Sequence, residues 1–309
     1  MLMVISRNKN KLSFKKQSYI AGYCFVALPV LGFLFFTAVP LIYSIFFSMQ
    51  DTDGSFVGFQ NFAKAFGDPY FFSSFGNSFI VLIGLVVQIV VALLVALLLT
   101  VNVKGQSVFR AFFFIPSLCS AVAITFVWKV LYDTNYGLLN NILWNMGLYG
   151  INWLGYPGMA LVSIMIKGVW MGIGGGMVMY ISSIKNVSKS LYEAAEIDGA
   201  RTVRQFFSIT LPSISPTTFY LLVTSVIGTM TDFASYQLMI GDIEATTLNY
   251  AATPLALYIY NTAFIKSPFL DGNTSYNYAT AMSWLLAIVI VIIIGGLFAS
   301  QKKWVHYND

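Results

Sequence analysis

Few residues of this chain have the types and spacing to do chemistry, and they fall into two groups. The first is Glu193-Ala194-Ala195-Glu196-Ile197-Asp198-Gly199-Ala200, running on to Phe206 and Pro212, a compact polar island between two long apolar stretches. Carboxylates flanking small alanines suit docking, because the alanines let the backbone or an aromatic side chain of another protein approach closely. The second group is Asp232, Phe233, Tyr236 and Gln237, set inside an apolar stretch. Asp232 and Tyr236 are one helical turn apart and are expected on one face. A carboxylate there is costly in lipid and faces protein or water.

Catalytic sets are harder to assemble. His306 is the one histidine and stands in the C-terminal tail, so neither a Ser/His/Asp nor a Cys/His arrangement can be built around it. Cys24 and Cys119 both fall inside apolar runs, where a free thiol behaves as a small hydrophobe, and they support neither a metal site nor a disulfide framework. Gly172-Ile173-Gly174-Gly175-Gly176 is no phosphate loop, since no strand precedes it and no Lys-Ser/Thr follows; close helix packing or a flexible break is expected there instead. The chain is therefore read as non-enzymatic, with no cofactor of its own.

The elements that must position these groups are set by composition. Hydrophobic residues make up 58% of the chain and charged residues 9%, and the mean hydropathy is +0.75, which marks an all-α integral membrane protein. Runs long enough to cross a hydrocarbon core, about 20 helical residues each, occur at roughly 19–48, 76–101, 109–131, 158–184, 213–240 and 279–300. Six spans are predicted, the first carrying Pro29 and Pro40 and so expected to tilt, kink or extend beyond the bilayer. Its apolar stretch far exceeds a signal-peptide core and is read as a retained anchor.

Charge sets the orientation. Arg7, Lys9, Lys11, Lys15 and Lys16 precede the first span; Lys104 and Arg110 lie between the second and third; Lys185, Lys189, Arg201 and Arg204 lie between the fourth and fifth; Lys302 and Lys303 follow the sixth. The opposite loops hold Lys64 and Lys266 against seven carboxylates, Asp51, Asp53, Asp68, Asp133, Asp242, Glu244 and Asp271. Both termini and the Glu193 loop are thus expected in the cytoplasm. The net charge of +5 then reflects topology and contact with anionic membrane lipid, not a nucleic-acid partner. The chain divides into a basic cytoplasmic segment, 1–18, and a transmembrane unit, 19–309, with the cytoplasmic loop at 185–212.

Within that loop, Ser190 and Glu193 have capping-box spacing, which predicts a helix starting at Leu191, and Gly199 is placed to end it in a left-handed conformation. Thr202 and Gln205 repeat the pattern, so two short helices joined at a glycine lead to Pro212 and the fifth span. By the residues alone, an amphipathic helix lying on the membrane surface is the simpler reading.

Glu193-Ala194-Ala195-x-x-Asp198-Gly199-Ala200, followed by Phe206 and Leu211-Pro212, resembles the EAA motif of the inner-membrane permease subunits of type I ABC importers. Phe109-Arg110-Ala111-Phe112-Phe113-Phe114-Ile115-Pro116, Trp128, Tyr136-Gly137-Leu138-Leu139-Asn140, Tyr258 through Phe264 and Tyr278-Ala279-Thr280-Ala281 are similar to the carbohydrate-uptake branch, the maltose and sn-glycerol-3-phosphate type. One departure is visible: many relatives carry Thr-x-Gly-Gly-Pro after the fifth span, where this chain reads Met239-Ile240-Gly241-Asp242-Ile243-Glu244.

The resemblance implies the six-span type I permease fold and one half of a heterodimeric pore. It implies a second permease subunit, a dimer of cytoplasmic ABC ATPases that use the ATP and Mg, and an extracytoplasmic sugar-binding protein docking on the outer loops. It makes the Glu193 loop a coupling helix contacting the ATPase through Glu193, Ala194, Ala195, Asp198, Gly199 and Ala200. A sugar pathway would draw on aromatic faces and on amide and carboxylate groups. Asp232, Phe233, Tyr236 and Gln237 are the first candidates, and Trp170, Trp284, Asn249 and Tyr250 the next. Asp232 fits equally a buried hydrogen-bonding role in helix packing. Lys129 and Lys167 are expected near the outer span ends, snorkelling to the interface. The cargo is read as a di- or oligosaccharide, the alternatives being a glycerophosphodiester or polyol, or an ion-coupled carrier.

Overall fold

The computed structural model describes residues 10–101, 105–243 and 250–307, and among these every regular element is a helix. Four helical stretches are long and apolar enough to cross a membrane, Ala21–Ser48, Pro69–Leu98, Pro157–Lys185 and Tyr276–Trp304, and two bent pairs bring the number to six.

The first span is α1 (Asn10–Phe33), a π-helical stretch Leu34–Ala38, and α2 (Val39–Ser48). Pro40 has no N–H and its ring crowds the carbonyl one turn back, so the helix widens ahead of it and the Val39 N–H bonds the Leu34 carbonyl five residues earlier. The bilayer-length segment of this span is 0% buried against the rest of the chain. It joins the body near its end, where Asn277 Nδ2 donates to the Phe47 carbonyl at 3.0 Å.

After α3 (Gln60–Phe66), the second span is α4 (Pro69–Leu98), which starts seven residues before the predicted apolar run. Asp68 is the reason: its carboxylate accepts from the Tyr70 and Phe71 N–H groups, and Pro69 occupies a first-turn position where no N–H is needed.

The predicted third span is two helices, α5 (Gln106–Leu118) and α6 (Ala121–Leu131), meeting at 101° across Cys119-Ser120. Pro116 interrupts the ladder of α5 just before the break, and Ser117 Oγ takes the Phe114 carbonyl at 2.7 Å. Following α7 (Leu138–Asn145), the fourth span α8 (Pro157–Lys185) runs unbroken through the glycine cluster. The glycines are there for approach: a Cβ on Gly174 would lie 2.5 Å from the Phe113 carbonyl oxygen and one on Gly176 3.0 Å from Ala92 Cβ.

Beyond the short α9 (Lys189–Ile197), the fifth candidate span runs from α10 (Thr202–Gln205) and α11 (Leu211–Ser213) through a 61° bend into α12 (Ser215–Thr231), and α13 (Ala234–Ile243) follows it. The single helix predicted over 213–240 is thus interrupted at Asp232-Phe233. Asp232 has an extended backbone, and its carboxylate accepts the Ser235 N–H at 3.1 Å, so it ends one helix and caps the next. The departure Met239 to Ile243 continues α13, while Glu244 and Asn249 lie outside the described residues. Finally α14 (Leu255–Phe264) packs beside the sixth span, α15 (Tyr276–Trp304). The main core lies where α4, α8, α12 and α15 meet, around the buried Met177, Tyr180, Ile214, Tyr278 and Met282.

Two of the described segments between spans are held by buried amide side chains. Asn140 Oδ1 accepts from the Ile151 N–H and the Trp153 indole, while its Nδ2 donates to the Thr134 and Ile151 carbonyls. Asn77 Nδ2 likewise holds the Ala251 and Thr253 carbonyls against α4. The exposed His306 ring belongs to a tail that is pinned by its backbone, the His306 N–H donating to Ser215 Oγ at 2.9 Å.

Candidate functional site

The breaks at Cys119-Ser120 and at Asp232-Phe233 open on one cavity of about 620 Å³, lined by Gln88 of α4, Ser117 and Ala121 flanking the first of them, Lys167 of α8, and Asp232 and Tyr236 at the second. Interrupted helices bring backbone polar groups to a place that continuous helices would keep apolar, and such places line water-filled or ligand-filled space in membrane proteins.

Lys167 changes the reading of this cavity. It does not snorkel to a span end; it is 2% exposed and lies ten residues into α8. Its Nζ donates to Thr125 Oγ1 at 3.0 Å, and Asp232 is the charge that acts on it. Thr125 passes its own hydroxyl hydrogen to the Ala121 carbonyl at 2.7 Å. One ammonium and one carboxylate thus share the cavity, with an amide and hydroxyls around them. The signal was present in the sequence as a lysine and a glutamine, Lys167 and Gln88, amid aliphatic runs.

The other pathway candidates separate. Tyr236 is buried and lines the cavity with Asp232. Phe233 faces elsewhere, its ring stacked on Tyr260 at 4.6 Å in a second, apolar cleft with Phe264 and Tyr276. In a continuous helix Phe233 and Tyr236, three residues apart, would share a face, and the break at Asp232 leaves them in different clefts. Gln237 packs against Gly241 and leaves a buried Oε1 without a hydrogen-bond partner among the described residues. Trp170 lies edge-on to Trp128 at 5.7 Å and lines an apolar groove with Val87 and Ile173. Trp284 donates to Ser44 Oγ at 3.2 Å and ties α15 to α2, away from the cavity. Tyr250 is buried against Tyr70 and Tyr258. Lys129 donates to the Leu238 carbonyl at 3.3 Å.

At the other end of α8, the polar island folds as two short helices about a glycine. Its first helix starts at Lys189, not Leu191, because Ser188 and not Ser190 takes the extended position before the helix. The capping-box spacing is bypassed: Ser190 Oγ pairs with Ser188 Oγ at 2.7 Å. Gly199 has φ of +74°, and the Ala200 N–H closes back on the Ala195 carbonyl at 2.8 Å. Glu193, Ala194, Asp198 and Gly199 are exposed, Ala195 and Ala200 half-buried. Leu191, Ile197 and Val203 are exposed apolar side chains on the same loop, Ile197 at 87%. Phe206 packs edge-on against Phe207 at 5.0 Å, and Pro212 sits in the first turn of α11. Among the described residues no three His, Cys, Asp or Glu side chains cluster to hold a metal.

A helical chain with up to six spans, a cavity at two helix breaks that is lined in part by charged side chains, and an exposed helical loop at the basic end has the architecture of a membrane transport subunit. The chain belongs to the family of binding-protein-dependent transport system inner membrane components, whose model matches residues 88–303. It is 31% identical over 313 residues to the probable ABC transporter permease protein YesP of Bacillus subtilis, covering 97% of this chain and 96% of that one. It is also 31% identical to the diacetylchitobiose uptake system permease protein NgcF of Streptomyces coelicolor, covering 95% and 85%. A lactose transport system permease protein, LacF of Rhizobium radiobacter, is 30% identical, covering 92% and 95%. In fold, the chain superposes with a TM-score of 0.80 at 22% identity on a chain of a bacterial alginate ABC transporter in complex with an alginate-bound periplasmic protein, covering 96% and 98%.

Proposed function

We propose that this chain forms one half of the membrane pathway of an ATP-driven sugar importer in a bacterial or archaeal cytoplasmic membrane. Its cargo is a neutral di- or oligosaccharide. The second half of the pore is a different permease subunit, and ATP and Mg are used by a pair of cytoplasmic ATPases on which the loop 185–212 docks. A binding protein delivers the sugar to the outer loops. ATP closes the ATPases, the loop transmits that closure, and hydrolysis resets the cycle.

The observation that carries this reading is the cavity at the two breaks. Sugar hydroxyls both donate and accept, so a lining that includes an ammonium, an amide, a carboxylate and a phenol meets them in either sense. The formal charges of Lys167 and Asp232 cancel, which favours neutral cargo over a glycerophosphodiester. The relatives named for diacetylchitobiose and lactose support the same class.

The test is purification of the tagged chain from its host in mild detergent, followed by uptake of labelled neutral oligosaccharides into vesicles holding the recovered assembly. A second permease and an ATPase in stoichiometric amount, with ATP-dependent uptake, are expected. A chain that purifies alone and moves sugar with an ion gradient overturns the proposal in favour of a secondary carrier.

A further inference from the structure

We infer that Tyr192 and Thr210 form a strut that carries displacement of α9 directly into the fifth span; this rests on the importer reading above. The covalent route from α9 to α12 is compliant. It passes the left-handed Gly199, the single turn of α10, a π-helical stretch Phe206–Thr210, and a 61° bend between Thr202–Ser213 and Ser215–Thr231. Each of these can absorb a movement before it reaches the bilayer.

A second route bypasses most of them. The Tyr192 hydroxyl of α9 lies 2.9 Å from Thr210 Oγ1, eighteen positions along the chain. Thr210 is 5% exposed and ends the π-helical stretch. Its carbonyl accepts the Ile214 N–H at 3.0 Å, and Ile214, fully buried, is the residue at the bend. A push on Tyr192 therefore arrives at the bend through two hydrogen bonds, without using Gly199 or α10. Tyrosine suits the task, having only two side-chain torsions to yield.

Beyond the bend lies a fulcrum. The Tyr180 hydroxyl of α8 donates to Thr218 Oγ1 of α12 at 3.1 Å, one turn past Ile214. Displacement at the bend then rotates α12 about this contact. The opposite end of α12, about 25 Å away at 1.5 Å per residue, carries Thr229 and Asp232 to the cavity wall. The π-helical stretch fits such a joint, since these insertions concentrate at working sites in helices. Tyr192 and Thr210 are thus positioning residues and touch no cargo.

The experiment uses the assembled transporter in lipid vesicles and compares Tyr192→Phe, Thr210→Val, the double variant and Thr210→Ser with the parent. Measured together are ATP hydrolysed, neutral oligosaccharide taken up per ATP, ATPase retained on purification, and the thermal midpoint of the assembly. Tyr192→Phe and Thr210→Val are each expected to lower sugar per ATP about five-fold, the factor set by one ordinary hydrogen bond. ATPase retention should stay unchanged, and the thermal midpoint should fall by no more than the loss of one hydrogen bond, about 1 kcal/mol, accounts for. The double variant should be no worse than either single, and Thr210→Ser should behave as the parent. Unchanged sugar per ATP in both single variants overturns the strut, as does a loss explained by ATPase falling off. A parent that retains no ATPase and takes up no sugar overturns instead the importer reading on which the strut rests.

Discussion

The Tyr278 hydroxyl donates to Asp68 Oδ2 at 2.7 Å, and Tyr258 donates to the same oxygen at 2.6 Å, so one carboxylate joins the start of α4 to α14 and α15. Its other oxygen caps α4. Lys64 lies 5.3 Å from the centre of the Tyr278 ring, adding a cation to the same corner. Asp68 is fully buried.

Replacing Asp68 by Ala removes a cap and strands two buried hydroxyls, and is expected to cost about 3 kcal/mol or more. Tyr258→Phe removes one donor and is expected to cost about 1 kcal/mol. Thermal unfolding in detergent at matched protein concentration checks both, Asp68→Ala giving the larger fall. Burial first, and then the Asp68 hydrogen bond, push the Tyr258 hydroxyl above its ordinary value of 10.0. A raised value means that the contribution of Tyr258 is complete below about pH 10 and declines as pH rises past it. The difference between parent and Tyr258→Phe should therefore stay constant from neutral pH to about pH 9.

Lys167 and Asp232 make a sharper pair of expectations. Either Lys167→Met or Asp232→Asn leaves one unbalanced charge in a low-dielectric cavity, and each is expected to reduce neutral-sugar uptake by about ten-fold or more. The double variant restores charge balance and should lose less than the product of the two single effects. Initial uptake rates at equal amounts of assembled transporter measure this. A double effect equal to that product would mean that the two residues act independently of charge.

What was legible in the sequence divides along a physical line. Apolar length and loop charge are summed over many residues, so the six spans and their order could be read. Breaks depend on single residues and on what they face. Asp232 looked like a face residue of a continuous helix because nothing local reveals that its carboxylate would cap the following turn. Gly199 was legible because a left-handed residue is a local property, whereas Ser188 was missed because Ser190 carried the stronger capping pattern. Lys167 was misplaced for a related reason: snorkelling is the usual fate of a lysine near a span end, and only the packing of α6 against α8 supplies Thr125 as its partner. Trp170 and Trp284 were named as pathway candidates by residue type alone, and neither lines the cavity of Lys167 and Asp232.

The glycine cluster of α8 separates approach from flexibility. Gly174→Ala puts a methyl 2.5 Å from the Phe113 carbonyl oxygen, where backbone of α5 cannot yield cheaply. It should destabilise the chain by about 1–3 kcal/mol, the usual range for overpacking. Gly175→Ala meets nothing within 4 Å and should be neutral or slightly stabilising through helix propensity. If the cluster served as a hinge, the two substitutions would act alike on uptake, and their thermal midpoints would not differ.

Gly199 poses the reverse case, because space is not what limits it. A Cβ there would meet nothing within 4 Å, but the φ of +74° is one that side chains resist. Gly199→Ala should cost about 1 kcal/mol through backbone strain alone, and a β-branched Gly199→Val more. That loss is local to an exposed turn, so the thermal midpoint of the transmembrane body should barely move. The Ala200 N–H closure onto Ala195 and the exposed row Glu193, Ala194 and Asp198 depend on this turn. If the proposed ATPase docks on this loop, a valine that opens the turn should shed it during purification while the chain itself stays folded. Retention of the ATPase by Gly199→Val would show that the turn is not needed to present this surface, and docking would then have to rest on α9 alone.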